Sequence, residues 1–336
     1  MRYPISILDL APIARGQTPT ESFAASVALA QLAERLGYER IWYAEHHNMS
    51  QIASSATSVV IAHVGAQTST IRLGAGGIML PNHAPLVIAE QFGTLEAMYP
   101  GRIDLGLGRA PGSDQNTMHA LRRDPQSADT FPQDVLELQG YLSGNTRVPG
   151  VDAVPGKGSD VPLYILGSSL FGAQLAAALG LPYAFASHFA PAALDDAIVA
   201  YRAGFKPSQQ LDSPYVIAGC NVIAADTAEA AAEQLQAIRR MRAIGLFART
   251  RGVSAAELEL TDADGDQLLA AGLDAHVDEM LTYAAVGTSS EVGDYVDSFR
   301  ARTGADELIV THQAPAIEDR LRSVTLLAEA LSAVAA

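Results

Sequence analysis

Short apolar runs alternate with longer segments of helical period along the whole chain. Eight of these runs precede a helix-period segment, and they lie at residues 5–10, 39–44, 71–80, 102–108, 162–167, 183–187, 213–225 and 306–312. Runs this short and this apolar are typical of parallel strands that helices cover on both faces. Because eight strand–helix units close a barrel, the pattern predicts an α/β protein with a (β/α)8 TIM barrel.

The chain is longer than such a barrel needs, and the surplus predicts insertions. Its 336 residues exceed the ~250 that the barrel typically takes. We expect insertions after strands 4 and 7, at about 109–160 and 243–285, within a single domain that spans 1–336. An open doubly wound sheet is the alternative architecture, but such a sheet usually stops at about five or six strands.

Composition and charge narrow the class of protein. Apolar residues make up 49% of the chain and charged residues 18%, which is typical of a globular protein. The 37 acidic residues outnumber the 22 basic ones, and the net charge of −15 argues against nucleic acid or an anionic membrane as the main partner. Without a signal-peptide pattern or a stretch of ~20 apolar residues, we expect a cytoplasmic protein. The only cysteine, Cys220, is predicted to be a buried strand thiol.

Polar residues and glycines recur where the predicted strands end. Glu45, His46 and His47 follow the second strand directly. The other strand ends carry Gly76 and Gly77, Arg109, Ser168 and Ser169, His188, Asn221 and His312. In a barrel of this kind the active site lies at the carboxyl ends of the strands, so these residues are predicted to line one site.

The adjacent histidines His46 and His47 do not predict a metal centre. Neighbouring side chains diverge, and the chain has no HExxH spacing, so we expect no metal. One imidazole is expected to face the pocket as an acid, base or hydrogen-bond donor, and the other to support the loop. The alternative is a structural turn in which both rings only satisfy hydrogen bonds.

Two glycine-containing segments are candidates for binding phosphate. "LGSSLFG" at 166–172 places two hydroxyls at the start of a helix, whose free N–H groups suit a phosphate. A simple N-cap by Ser168 explains the same residues equally well. "GLGRAPG" at 106–112 has the spacing GxGxxxG and no helix directly after it, so an NAD-dependent dehydrogenase is only weakly indicated.

Four longer stretches together resemble the bacterial luciferase-like flavin-dependent monooxygenases, in particular their non-luminous branch. These stretches are "WYAEHHN", "IRLGAGGIMLPNHAPLVIAEQF", "PGRIDLGLGRAPG" and "LGSSLFGAQLAAALGLPYAFASHFAP". The resemblance runs from "ISILDL" to "DELIVTH" and is weakest across 113–160 and 240–285. It implies a (β/α)8 barrel that binds FMN across the carboxyl mouth.

The resemblance also assigns roles to individual residues. His46 matches the family's catalytic histidine, and Glu45 and His47 are its neighbours in the motif. Gly76 and Gly77 fall where the family has a non-proline cis peptide under the flavin ring. The remaining cofactor-binding positions that we assign are Arg109, Ser168, Ser169 and Gly172, which match residues that hold the FMN phosphate, and His188.

Two positions depart from the luciferases proper. Gly108 stands where those enzymes have a reactive cysteine near the flavin, and Ser168 stands where they have a glutamate. The first difference argues against light emission.

The function that the resemblance implies is that of an FMN-dependent monooxygenase. Such an enzyme uses reduced flavin and O2 to oxidise a small organic substrate, acting on paired donors with incorporation of molecular oxygen. Because the chain has no dinucleotide fingerprint, we expect a separate flavin reductase to supply FMNH2, and family habit implies a homodimer. A deazaflavin-dependent hydride-transfer enzyme and a flavin-binding protein without turnover are the alternatives.

Overall fold

The computed structural model describes residues 1–110, 114–253, 255–314 and 316–332. Within these residues nine parallel strands form one sheet: β1 (Ile5–Asp9), β2 (Arg40–Tyr43), β3 (Arg72–Met79), β4 (Ile103–Gly108), β5 (Leu163–Gly167), β6 (Tyr183–Phe185), β7 (Val216–Ala224), β8 (Ala284–Gly287) and β9 (Glu307–His312). The α-helices are α1 (Pro19–Leu36), α2 (Thr57–Gly65), α3 (Pro85–Met98), α4 (Gln115–Ala120), α5 (Phe131–Ser143), α6 (Leu170–Leu179), α7 (Leu194–Gly204), α8 (Ala228–Thr250), α9 (Asp262–Leu268), α10 (Asp274–Met280), α11 (Ser289–Thr303) and α12 (Ile317–Ser332). None of the helices in the described part combines the length and the apolar character needed to cross a bilayer.

Eight of the strands close into a barrel. The hydrogen-bonded order runs from β6 through β5, β4, β3, β2 and β1 to β9 and β7, and β7 pairs back with β6. All of these pairs are parallel, and β1 lies between β2 and β9. The predicted (β/α)8 TIM barrel is therefore confirmed, and each of its strands falls within one of the eight apolar runs.

The strand β8 is an addition that the sequence pattern did not predict. It pairs with the last part of β7, Asn221–Ala224. The strand β6 pairs with an earlier part of β7, which ends at Ala218. The expected insertion at 243–285 thus contains the end of α8, the helices α9 and α10, and the first two residues of a strand. Four small residues, "AAVG", are too short a run to be recognised as a strand against their helical surroundings.

The alternation of side chains along the strands separates two cores. Successive strand residues point to opposite faces. In β7, Val216, Ala218, Cys220 and Val222 pack in the large cluster with the helices. Ile217 instead packs in a small cluster with residues from other strands around the barrel, among them Trp42 and Ile309, and this cluster fills the barrel interior. Cys220 is therefore buried on the outer face of the strand, as expected.

A buried ion network closes the amino end of the barrel. Arg40, the first residue of β2, donates to both carboxylate oxygens of Glu307 at 2.9 and 3.0 Å and to Asp104 at 2.7 Å. Arg72 makes a second ion pair with Asp104. Glu307 begins β9 and Asp104 is second in β4, so two cations and two carboxylates meet at one end. Their charges are balanced by one another.

Candidate active site

A buried carboxylate organises the loop that follows β2. Glu45 is 1% exposed and accepts hydrogen bonds from His47 Nε2 at 2.8 Å, His83 Nε2 at 2.9 Å and the backbone N–H of Met79 at 2.9 Å. Burial alone would raise the pKa of Glu45, but these hydrogen bonds lower it to about 2. Glu45 is thus an ionised anchor, and the hydrogen bond to it raises the pKa of His47.

His83 is a member of this cluster that sequence reasoning missed. It follows a single turn of 3-10 helix after β3, far along the chain from His47. One ligand atom from each of Glu45, His47 and His83 lies within 4.8 Å of the others, a grouping compatible with a metal ion. In the structure both imidazoles contact the carboxylate directly, so the expectation of no metal stays a prediction.

His188 lies within electrostatic range of His46, the histidine after β2. His188 follows β6 and is partly buried, with its Nδ1 only 2.6 Å from where a Cβ on Gly219 would lie. Burial, followed by the charges of Arg242 and His46, lowers the pKa of His188 to about 3. His188 is therefore neutral at physiological pH, and the charge of His46 contributes to lowering its pKa.

The Gly76–Gly77 peptide bond is cis, the geometry that the family resemblance implied. A Cβ on Gly76 would lie 2.8 Å from Leu8 and 2.9 Å from Trp42, and a Cβ on Gly77 would lie 2.7 Å from the carbonyl oxygen of Gly106. No side chain fits at either position. The backbone N–H of Glu45 donates to the Gly77 oxygen at 3.2 Å, which joins this bond to the loop after β2.

Arg109 lies beside the first turn of α6. Its guanidinium is 4.3 Å from the centre of the Phe171 ring, and its Nε donates to the Ala128 oxygen at 3.2 Å. The nearest carboxylate partner found for it among the described residues is Asp129, at 3.8 Å. The Arg109 side chain is 42% exposed, so a ligand can approach it.

Ser169, and not Ser168, is the N-cap of α6. The alternative of a simple cap by Ser168 is therefore wrong, because the helix begins one residue later, at Leu170. Within the described residues of this helix, the Ser169 side chain accepts no hydrogen bond from the first turn. The N–H groups of this first turn are left for another acceptor. Gly172 has a packing explanation as well, since a Cβ there would lie 3.3 Å from the Tyr183 ring.

A cavity of about 400 Å³ lies between the segment after β3 and the segment after β4. Its lining includes Asn82, Arg109 and Arg123. Asn82 also donates to Glu45 at 3.3 Å, and Arg123 donates to the Asn82 oxygen at 3.3 Å. Arg123 was not singled out from the sequence, because the segment after β4 carries no recognisable pattern.

His312 does not belong to the site, and the prediction that it does is wrong. It lies on the same face of β9 as Leu308 and Val310, which pack with the helices, while Ile309 faces the interior. Its Nδ1 is 2.8 Å from the Ser323 hydroxyl of α12. A strand end fixes only the height of a side chain in the barrel, and the parity of the residue decides which face it takes.

The comparisons with known proteins agree with this fold. Residues 3–307 match the family described as luciferase-like monooxygenase. A protein of Escherichia coli named luciferase-like monooxygenase is 48% identical over 322 residues, which is 96% of this chain and 95% of that protein. The chain belongs to the luciferase-like monooxygenase family.

Solved structures show the same architecture. Apo-MsnO8 superposes with a TM-score of 0.84 at 35% identity, over 98% of both chains. Two distant structures show the fold alone. The oxygenating constituent of 3,6-diketocamphane monooxygenase from Pseudomonas putida, in complex with FMN, has a TM-score of 0.68 at 17% identity over 98% of this chain and 97% of that chain. An F420-dependent secondary alcohol dehydrogenase has a TM-score of 0.73 at 16% identity over 99% of this chain and all of that chain.

Proposed function

We propose that this protein is an FMN-dependent monooxygenase that oxidises a small organic substrate with O2. The observation that carries the proposal is the approach of Arg109 to the uncapped first turn of α6, next to Ser169. When bound, reduced FMN would supply the electrons that activate O2. Family membership supports O2 and a small molecule as reactants, and a separate flavin reductase is proposed as the source of reduced FMN.

The residues at α6 fit the phosphate of FMN. The free N–H groups and the positive dipole end of a helix attract a dianion. The Arg109 guanidinium adds paired donors that match phosphate geometry, and its contact with Asp129 at 3.8 Å is loose enough to give way. Ser168, Ser169 and Gly172 would complete this phosphate site.

The ends of β3 and β2, which lie on the other side of β4 from α6, fit the flat isoalloxazine ring of FMN. We assign the flavin ring to the backbone at Gly76 and Gly77, where the barrel's own atoms leave no room for a side chain. His46 lies beyond the neighbouring strand β2, and we assign to it the transfer of a proton at the flavin. Glu45 acts through His47 and His83 by fixing the loop, and neutral His188 encloses the far side.

Cofactor titration tests the proposal without any turnover. Wild-type protein should bind FMN and bind riboflavin, which lacks the phosphate, more weakly. Arg109→Ala should weaken FMN binding by about one to two decades and leave riboflavin nearly unchanged, the range for losing a charge-assisted contact. Arg147→Ala, at an exposed arginine, is the control. Equal losses for both flavins would contradict the phosphate role, and preferential binding of F420 would replace FMN as the cofactor.

A further inference from the structure

Arg242 of α8 reaches into the carboxyl mouth of the barrel. Its Nη2 donates to Asn221 Oδ1 at 3.4 Å. Asn221 lies on the interior face of β7, since it has the same parity as Ile217. The same Oδ1 accepts from the hydroxyl of Thr311 in β9 at 2.9 Å, and Asn221 Nδ2 donates to the His188 oxygen at 2.7 Å. Asn221 therefore holds the guanidinium where β7 and β9 end.

The charge of Arg242 is not balanced by the protein. Arg239 and Arg240, on the same helix, pair with Asp278 at 3.0 Å and Asp266 at 2.7 Å. Arg242 takes part in no ion pair among the described residues, although the chain has 37 acidic residues. Burial lowers the pKa of Arg242 to about 10, so the group is still protonated at neutral pH. A partly buried cation without a carboxylate is costly, and this cost implies a partner that is not part of the chain.

The groups near Arg242 that the structure describes do not compensate its positive charge. The nearby imidazole of His188 is neutral and does not compensate the charge, and Arg242 itself helps to keep it neutral. The buried carboxylate in the mouth, Glu45, is already bound by His47 and His83.

This cation is separate from the proposed phosphate site. Arg109 follows β4. Asn221, which contacts the guanidinium of Arg242, and Thr311, which donates to Asn221, come from β7 and β9, three and four strands further around the barrel. An FMN phosphate held at α6 would thus leave Arg242 on the far side of the mouth.

We propose that Arg242 binds a carboxylate group of the substrate, held in place by Asn221, so that the enzyme oxidises small organic acids. The assignment rests on the proposed function for the reaction itself, but anion binding at Arg242 is independent of turnover.

Paired probes of equal shape test the assignment. Benzoate and benzamide, and octanoate and octanamide, differ in charge and little else. Their affinities for wild type, Arg242→Gln, Arg242→Lys, Arg249→Gln and Arg109→Gln would be measured by calorimetry, with and without saturating FMN. The affinity of reduced FMN for wild type and Arg242→Gln would be measured in the same way. Arg249 lies exposed near the end of the same helix and controls for the change in net charge. Wild type and Arg249→Gln should prefer the carboxylates by roughly tenfold to a hundredfold, Arg242→Lys should keep part of this preference, and Arg242→Gln should lose it with amide binding unchanged.

Three results would overturn the assignment. The first is an Arg242→Gln variant that keeps the preference or loses both probes equally. The second is a preference that disappears in Arg109→Gln or in saturating FMN, which would place the anion in the phosphate site. The third is an Arg242→Gln variant that binds reduced FMN more weakly but binds carboxylates as wild type does. This result would mean that the guanidinium contacts the cofactor and not the substrate. If wild type binds no flavin yet keeps an Arg242-dependent preference, the monooxygenase proposal fails and the anion site stands.

Discussion

The two ends of this barrel use buried charge in opposite ways. At the amino end, Arg40 is held by Glu307 and Asp104, and every charge in the network has an opposite charge beside it. At the carboxyl mouth, the nearest carboxylate to Arg109 among the described residues is 3.8 Å away, and Arg242 donates to the Asn221 amide oxygen without an ion pair to any described residue. Arginine thus closes the barrel at one end and remains available to bind a ligand at the other. A binding site is therefore recognised by charged side chains that lack an opposite charge beside them, and not by their exposure alone.

Breaking the closed end should give the largest effect on stability. Arg40→Met leaves Asp104 and Glu307 buried with one cation fewer, and removing one partner of a buried pair costs about 3 to 5 kcal/mol. Urea unfolding would measure this loss. Lys157→Met is the control, because Lys157 and Asp152 pair at 2.8 Å while half-exposed, and such pairs contribute up to about 1 kcal/mol.

The comparison also predicts what Arg40→Met leaves unchanged. Below its unfolding transition the variant should bind FMN like wild type, since the network lies at the opposite end from the mouth. A variant of wild-type stability, or a folded variant with weak FMN binding, would contradict the assignment of this end to closure.

Changing His46 at the mouth should affect turnover and spare stability. His46→Ala should lower substrate oxidation by about two to four decades, the range for a positioned acid or base, with FMN affinity nearly intact. The measurement is consumption of substrate under FMNH2 and O2, alongside melting temperatures. His63→Ala, at an exposed histidine of α2, is the matched control. A fully active His46→Ala enzyme, or equal losses of melting temperature for His46→Ala and His47→Ala with normal kinetics, would favour a structural turn.

The barrel could be predicted from the sequence because the same pattern, an apolar run followed by a helical segment, occurs eight times. Each of the eight strands is an apolar run, and a misplaced boundary in one of them would not have changed the count. The network at Arg40 could not be predicted, because each of its charges stands alone at the start of a different run and only closure of the barrel brings them together. His83 was missed for the same reason, since it follows β3 and its partner Glu45 follows the neighbouring strand β2. Arg242 lies on α8, the helix predicted after the seventh strand, but the pattern did not show that this arginine would reach the mouth.

The cluster of Glu45, His47 and His83 lies in the mouth, but its carboxylate is paired with neighbouring groups, as are the charges at the amino end. The pH dependence of the free energy of unfolding can test this pairing. The pKa of Glu45 is about 2 in the folded protein and about 4.5 unfolded, so it contributes about 3 kcal/mol that is complete above pH ~4.5 and lost as the pH falls toward 2. The pKa of His47 is raised, so its contribution is complete below pH ~6.5 and lost as the pH rises through its folded value.

Glu45→Gln removes both contributions. The difference in free energy of unfolding between wild type and Glu45→Gln should be largest between about pH 4.5 and 6.5 and should shrink on either side. Chemical unfolding at several pH values measures it. A difference that does not change with pH would mean that the carboxylate is not the anchor of the two rings.

The smallest predicted effect separates two helix N-termini that look alike in sequence. Thr227 caps α8 by accepting from the Ala230 N–H at 3.2 Å, whereas Ser169 caps nothing within α6. Thr227→Ala should therefore lose about 1 kcal/mol of stability and keep FMN affinity. Ser169→Ala should keep its stability and bind FMN about fivefold more weakly, with riboflavin unchanged, because one neutral hydrogen bond to the phosphate is lost. Thermal unfolding and fluorescence titration with both flavins decide the case. If Ser169→Ala loses stability as Thr227→Ala does and binds FMN normally, then Ser169 is an ordinary cap, and the phosphate site would rest on Arg109 and the backbone alone.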